Sequence, residues 1–124
     1  LKAQKGHIIN VASMAGLIGF PPSKKSHRAL YRPIKSLLPP FTAQLATLYP
    51  EITFQCLCPG LTYSEFHARA NEEHVRDLIP KRFWSHPDQV VEKSLKSLPK
   101  KKLIVIPNSI NRLGFLIWKI KTLF

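Results

Sequence analysis

Three short apolar runs limit the fold more than any other feature of this chain. They are "GHIINVAS" (Gly6 to Ser13), "EITFQCLC" (Glu51 to Cys58) and "KKLIVIP" (Lys101 to Pro107), each bounded by glycine, proline or polar residues. A strand with water on one face alternates apolar and polar residues, whereas continuous apolar runs of this length suit strands covered on both faces. Helical segments lie between them. Tyr31 to Leu48 carries Leu37, Leu38, Phe41, Leu45 and Leu48 at helical spacing. "SHPDQVVEKSLKSL" offers Ser85 as N-cap, Pro87 in the first turn and Asp88 near the positive end of the helix dipole. Asn108 to Phe124 forms a terminal helix, and Ser64 to about Ile79 reads as a polar helical flap. Strand, helix, strand, helix, strand, helix implies a parallel α/β sheet, with 7–12, 52–58 and 103–106 as parallel neighbours. Residues 1–107 then make the sheet-forming unit, and 108–124 an amphipathic, basic helical tail.

Charge is distributed unevenly along the chain. The net charge is +12, with seven Lys/Arg and no acid in residues 1–50, and eight and no acid in 93–124. Such ends attract anionic partners. No zinc finger and no aromatic-interleaved RNA motif accompanies them, which argues against nucleic acid. In the tail, Leu113, Leu116, Ile117, Ile120 and Phe124 share one helical stripe, widened by Phe115 and Trp118, with Arg112, Lys119 and Lys121 elsewhere. It is too short and too charged to span a bilayer. It packs on the domain or a partner, or else 109–124 makes a peripheral membrane contact. Cys56 and Cys58, at i and i+2 of an apolar run, read as buried thiols on one strand face, which suits a cytoplasmic, reducing location. His7, His27, His67, His74 and His86 show no metal-ligand spacing and read as solvated side chains.

The chemistry-bearing residues cluster around strand ends. Ser13 follows the first strand, Pro59-Gly60 stops the second, and Tyr31 and Lys35 share one face of the intervening helix at i and i+4. Ligands of doubly wound sheets bind outside the carboxyl ends of strands, where these three features converge.

On these residues the chain resembles the short-chain dehydrogenase/reductase family. "GHIINVASMAG" is similar to the strand and loop that carry the family's catalytic serine, here Ser13. "YRPIK" resembles its Tyr-x-x-x-Lys motif, at Tyr31 and Lys35. "CPGLTYSEF" resembles its Pro-Gly motif, with Pro59, Gly60, Thr62 and Ser64 at positions flanking the cofactor. The resemblance implies the C-terminal half of a doubly wound, Rossmann-like domain that transfers hydride between NAD or NADP and a small alcohol or carbonyl substrate; the sequence leaves open whether it forms a homo-oligomer. A free phenol has a pKa of about 10, and a nearby ammonium favours its ionised form. The implied roles are therefore Tyr31 as acid/base, Lys35 as its electrostatic tuner and ribose anchor, and Ser13 as the group that orients the substrate oxygen.

Three departures from the family pattern bear on activity. No Gly-rich dinucleotide fingerprint occurs in the 124 residues; it is expected to precede residue 1. Ser13 and Tyr31 are 18 positions apart, more than the family's usual spacing, with the excess in "PPSKKSHRAL". Pro39 and Pro40 fall inside the tyrosine–lysine helix, at about 3 kcal/mol apiece in a helix interior, and predict a kink or restart there. The isolated chain is expected to be inactive.

Overall fold

A computed structural model describes residues 5–18, 29–65 and 74–123. Its main sheet has three strands in the order β1 (His7–Val11), β2 (Thr53–Leu57) and β5 (Ile104–Val105). Both pairings are parallel, with His7 opposite Thr53, Val11 opposite Leu57, and Cys56 opposite Ile104. The expected order and direction hold, with strands a residue or two shorter at their ends. A second, two-stranded parallel ladder joins β3 (Leu61–Thr62) to β4 (Trp84–Ser85). Sequence patterning did not anticipate it, because two residues are too few to show a period.

Helices cover both faces of β2. On one face α1 (Met14–Leu17), α2 (Tyr31–Leu48) and α5 (Ser109–Thr122) supply Met14, Leu17, Leu38 and Phe115. These pack around the buried cluster Ala12, Cys56, Cys58 and Ile106. On the other face α4 (Pro87–Ser97) sets Val90 against Leu57 and Val105. It also closes a buried polar contact: Ser94 Oγ donates to Gln55 Oε1 at 2.5 Å, and Gln55 Nε2 donates to the Ser94 carbonyl at 3.1 Å. Cover of β1 is partial: Ile9 and Asn10 are half-buried, while Ile8 is 42% and Val11 54% exposed.

Two expectations about the helices need correction. The N-cap of α4 is His86, not Ser85, which instead lies buried in β4. The His86 N–H donates to Gln89 Oε1 at 3.0 Å, and Pro87 and Asp88 fall in the first turn as expected. A helix restart at the double proline is also absent: α2 runs continuously through Pro39 and Pro40. Tertiary contacts explain why the chain tolerates them. Pro39 has no N–H to give the Lys35 carbonyl, and that carbonyl faces Gly16 of α1 so closely that a Cβ there would come within 2.6 Å. Beyond the prolines, the Thr42 hydroxyl donates to the Leu38 carbonyl at 2.6 Å and accepts from Asn10 Nδ2 at 3.0 Å, tying the helix to β1.

Of the expected flap, the described part contains one short helix, α3 (Val75–Leu78). Residues 66–73, and most of the insertion between Ser13 and Tyr31, lie outside the described residues, as do His27, His67 and Phe124.

Candidate active site

Each candidate group sits just past the carboxyl end of a strand or at the start of a helix. Ser13 follows β1 and N-caps α1: its backbone is extended, and its Oγ accepts from the Ala15 N–H at 3.1 Å. That bond uses one lone pair and leaves the hydroxyl proton available to a ligand. The next residue joins this loop to its neighbour, since the Met14 N–H donates to the Pro59 carbonyl at 2.9 Å. The serine loop and the Pro-Gly loop therefore form one rim across the ends of β1 and β2.

Tyr31 and Lys35 approach the rim from the first turns of α2. Lys35 Nζ donates to the Val11 carbonyl at 2.9 Å and stands 5.8 Å from the centre of the Tyr31 ring. The α1 turn, with Ser13 at its head, rests on the Lys35 backbone through Gly16. Three features separate in sequence are thus neighbours: the Ser13 turn, the helix start carrying Tyr31 and Lys35, and the Pro59–Gly60 loop. Gly60 has its own packing reason, because a Cβ there would meet Asn111 Nδ2 at 2.3 Å.

Thr62 and Ser64 belong to the next layer out. The Thr62 hydroxyl donates to the Gly60 carbonyl at 3.1 Å, and its backbone is held opposite Ser85 in the β3–β4 ladder. Tyr63 strengthens this ladder by stacking on Trp84, with centroids 5.0 Å apart, and by packing against His86. Ser64 is exposed, and its carbonyl accepts from Arg76 Nη2 at 2.8 Å. Asn108 caps α5 with its side-chain oxygen while its Nδ2 donates to the Arg82 carbonyl and to Ser85 Oγ. Asn111 Nδ2 donates to the Phe83 carbonyl. These two asparagines moor the start of α5 to the Pro-Gly loop and to residues 82–85.

The two thiols belong to the core cluster rather than to the rim. Cys56 and Cys58 are both fully buried and free, with sulfurs 3.9 Å apart. The hydrogen bond shared with Cys56, and then burial, push the Cys58 thiol up and keep it protonated.

Sequence reasoning missed Gly16, Thr42, Asn10 and Asn111, which hold the candidate groups in place. Their importance lies in contacts between elements far apart in the chain. The one available signal was the small residue in "SMAG", three positions after Ser13.

A dinucleotide needs donors at both of its ends. Lys35 Nζ, the Thr62 hydroxyl and the backbone turn at 59–61 suit the nicotinamide–ribose end of such a ligand. Nothing in the sequence supplies the Gly-rich turn that a pyrophosphate needs.

No family model matches the chain, and no curated protein does. Solved structures do. A short-chain dehydrogenase from Sphingobium yanoikuyae in complex with NADPH matches over 94% of this chain at 21% identity, with a TM-score of 0.65. A 7β-hydroxysteroid dehydrogenase matches over 91% at 21% identity and a TM-score of 0.67. A 4-hydroxyisoleucine dehydrogenase mutant, complexed with NADH and succinate, matches over 84% at 22% identity and a TM-score of 0.63. The chain spans 44%, 42% and 46% of these three proteins, less than half of each. It has the fold of part of a short-chain dehydrogenase: a parallel, Rossmann-like sheet with its flanking helices.

Proposed function

We propose that this chain is the motif-bearing, C-terminal part of a nicotinamide-dependent short-chain oxidoreductase acting on a small alcohol or carbonyl compound. The observation that carries this reading is the position of Lys35. Its ammonium lies between the Tyr31 ring and the end of the strand that leads to Ser13. A phenol beside a fixed cation can give a proton to, or take one from, a substrate oxygen. A serine hydroxyl at the mouth of the same rim can donate to that oxygen as negative charge develops on it.

The cofactor, when bound, supplies or accepts the hydride. Lys35, Thr62 and the Pro59-Gly60 turn would hold its nicotinamide–ribose end, with Ser64 further along the same loop. Lys35 would exchange its bond to the Val11 carbonyl for ribose hydroxyls. The neighbours complexed with NADPH and with NADH support a nicotinamide dinucleotide as the ligand class.

Because pyrophosphate affinity in such folds comes largely from a Gly-rich helix N-terminus, this chain alone should bind cofactor too weakly for turnover. Calorimetric titration with NADH and NADPH should show no saturable binding. Fusing the chain behind the part of the S. yanoikuyae protein that precedes the matched region tests the catalytic assignment. The fusion should oxidise alcohols, and Tyr31→Phe should lower kcat by roughly a hundredfold to ten-thousandfold while cofactor binding persists. A fusion that folds, binds NADPH and turns over equally well with Tyr31→Phe would refute the assignment.

A further inference from the structure

The terminal helix α5 is moored at its start and packed along one side, yet its opposite side is apolar. Asn111, Phe115 and Trp118 are its half-buried positions, and Phe115 reaches the core cluster. At about 100° per residue these three lie within one narrow sector of the helix. Leu113, Leu116, Ile117, Ile120 and Leu123 occupy the opposite sector and are 48% to 75% exposed. A helix that only covers a domain would carry polar residues there.

The bases are placed as deliberately as the apolar residues. Arg112 and Lys119 border the outward stripe on one side, and Lys121 borders it on the other. No acid occurs from residue 93 onward, against eight Lys/Arg. Gly114 meets nothing within 4 Å of a built Cβ, so that flank is open.

We infer that the outward face of α5 docks this protein on an anionic lipid bilayer, with the helix lying in the plane of the interface. This goes beyond the oxidoreductase reading and does not depend on it. The 14-residue helix is about 21 Å long, short of the hydrocarbon thickness of about 30 Å. Among the described residues no helix is long and apolar enough to cross a membrane. A helix lying flat needs only one apolar face, and long basic side chains on both borders can extend to lipid phosphates while their stems stay among the acyl chains. Charge selects this occupant over a second copy of the chain. Two copies of a chain of net charge +12 repel, whereas an anionic leaflet attracts Arg112, Lys119 and Lys121 at the borders of the stripe.

Co-sedimentation of the full chain with vesicles tests the inference, using phosphatidylcholine alone and phosphatidylcholine mixed with phosphatidylglycerol. Lipid-free sedimentation velocity is run alongside. The wild type should pellet with the mixed vesicles and stay mostly in solution with the neutral ones. Replacing Leu116→Glu and Ile120→Glu together should weaken binding by about tenfold per residue. Both positions are exposed, so the melting profile should be unchanged. Replacing Arg112→Gln, Lys119→Gln and Lys121→Gln should weaken binding to the mixed vesicles by about fivefold per residue and narrow the difference between the two vesicle types. Equal pelleting of wild type and glutamate variant would overturn the inference, because the basic domain surface would then suffice. So would absence of vesicle binding, or a lipid-free dimer that the glutamates dissociate.

Discussion

Strands β1 and β2 are matched residue for residue and have opposite surroundings. Ile8 lies opposite Phe54 and Val11 opposite Leu57, yet the β2 member of each pair is buried and the β1 member is about half exposed. The residues are equally apolar, so composition does not separate them. Neighbours do. β2 has a hydrogen-bonded strand on each side, α2 and α5 over one face and α4 over the other. Among the described residues β1 pairs with a strand on one side only, and of its side chains Ile9 alone packs against the Leu57–Val90–Val105 cluster. An apolar strand with an unpaired outer edge is a template for further pairing. Leu30, at the N-cap of α2, and Ile34, Leu37, Phe41 and Leu48 along it form a second exposed apolar stripe. In the solved neighbours the matching region is under half of the protein.

The comparison is broken or sharpened most strongly at the Ile8–Phe54 pair. Phe54→Ala removes a buried aromatic and should cost about 3–5 kcal/mol. Ile8→Ala, in register with it, should cost under about 2 kcal/mol, because much of that side chain already meets water. Equilibrium urea unfolding of both variants measures the difference. Equal losses would mean that β1 is covered in solution.

A smaller contrast concerns polar residues. Gln55 of β2 is buried and exchanges two hydrogen bonds with Ser94. Gln55→Ala leaves the Ser94 hydroxyl and carbonyl without those partners in the interior, and should cost about 3 kcal/mol. Asn10 of β1 makes one bond to Thr42 from a half-buried position, and Thr42 keeps its own bond to the Leu38 carbonyl. Asn10→Ala should cost about 1 kcal/mol by the same measurement. A larger loss at Asn10 than at Gln55 would show that the tether of α2 across the double proline outweighs burial.

The same contrast explains what the sequence could and could not reveal. Strand order and direction were legible because Gly, Pro and Ser punctuate three apolar runs separated by helical periods. Convergence of Ser13, Tyr31, Lys35 and Pro59 followed from the topology, since each stands at a strand end or helix start. The run through Pro39 and Pro40 was not legible, because the compensation comes from Gly16, Asn10 and Thr42 on other elements. Nor was the cap at His86, because Ser85, the better capping residue, is drawn into a ladder with Thr62. Apolar periodicity marks a face for covering without naming what covers it, and β1, α2 and α5 all illustrate this.

Val11→Thr should have the smallest effect and is the sharpest test of the open edge. Threonine keeps the β-branched shape and strand propensity of valine and replaces one methyl with a hydroxyl. Under α4, at Leu57 on the same face, a new hydroxyl would need a partner it could not find. At Val11, more than half exposed, water can serve it, and the midpoint should move by less than about 0.5 kcal/mol with an unchanged m-value. A more polar edge strand should also self-associate less, which light scattering at matched concentrations would detect. A loss above about 1.5 kcal/mol would mean that the hydroxyl is buried and therefore that something covers β1. If that loss grew with protein concentration, the cover would be a second copy of the chain, and the asymmetry between β1 and β2 would belong to the monomer alone.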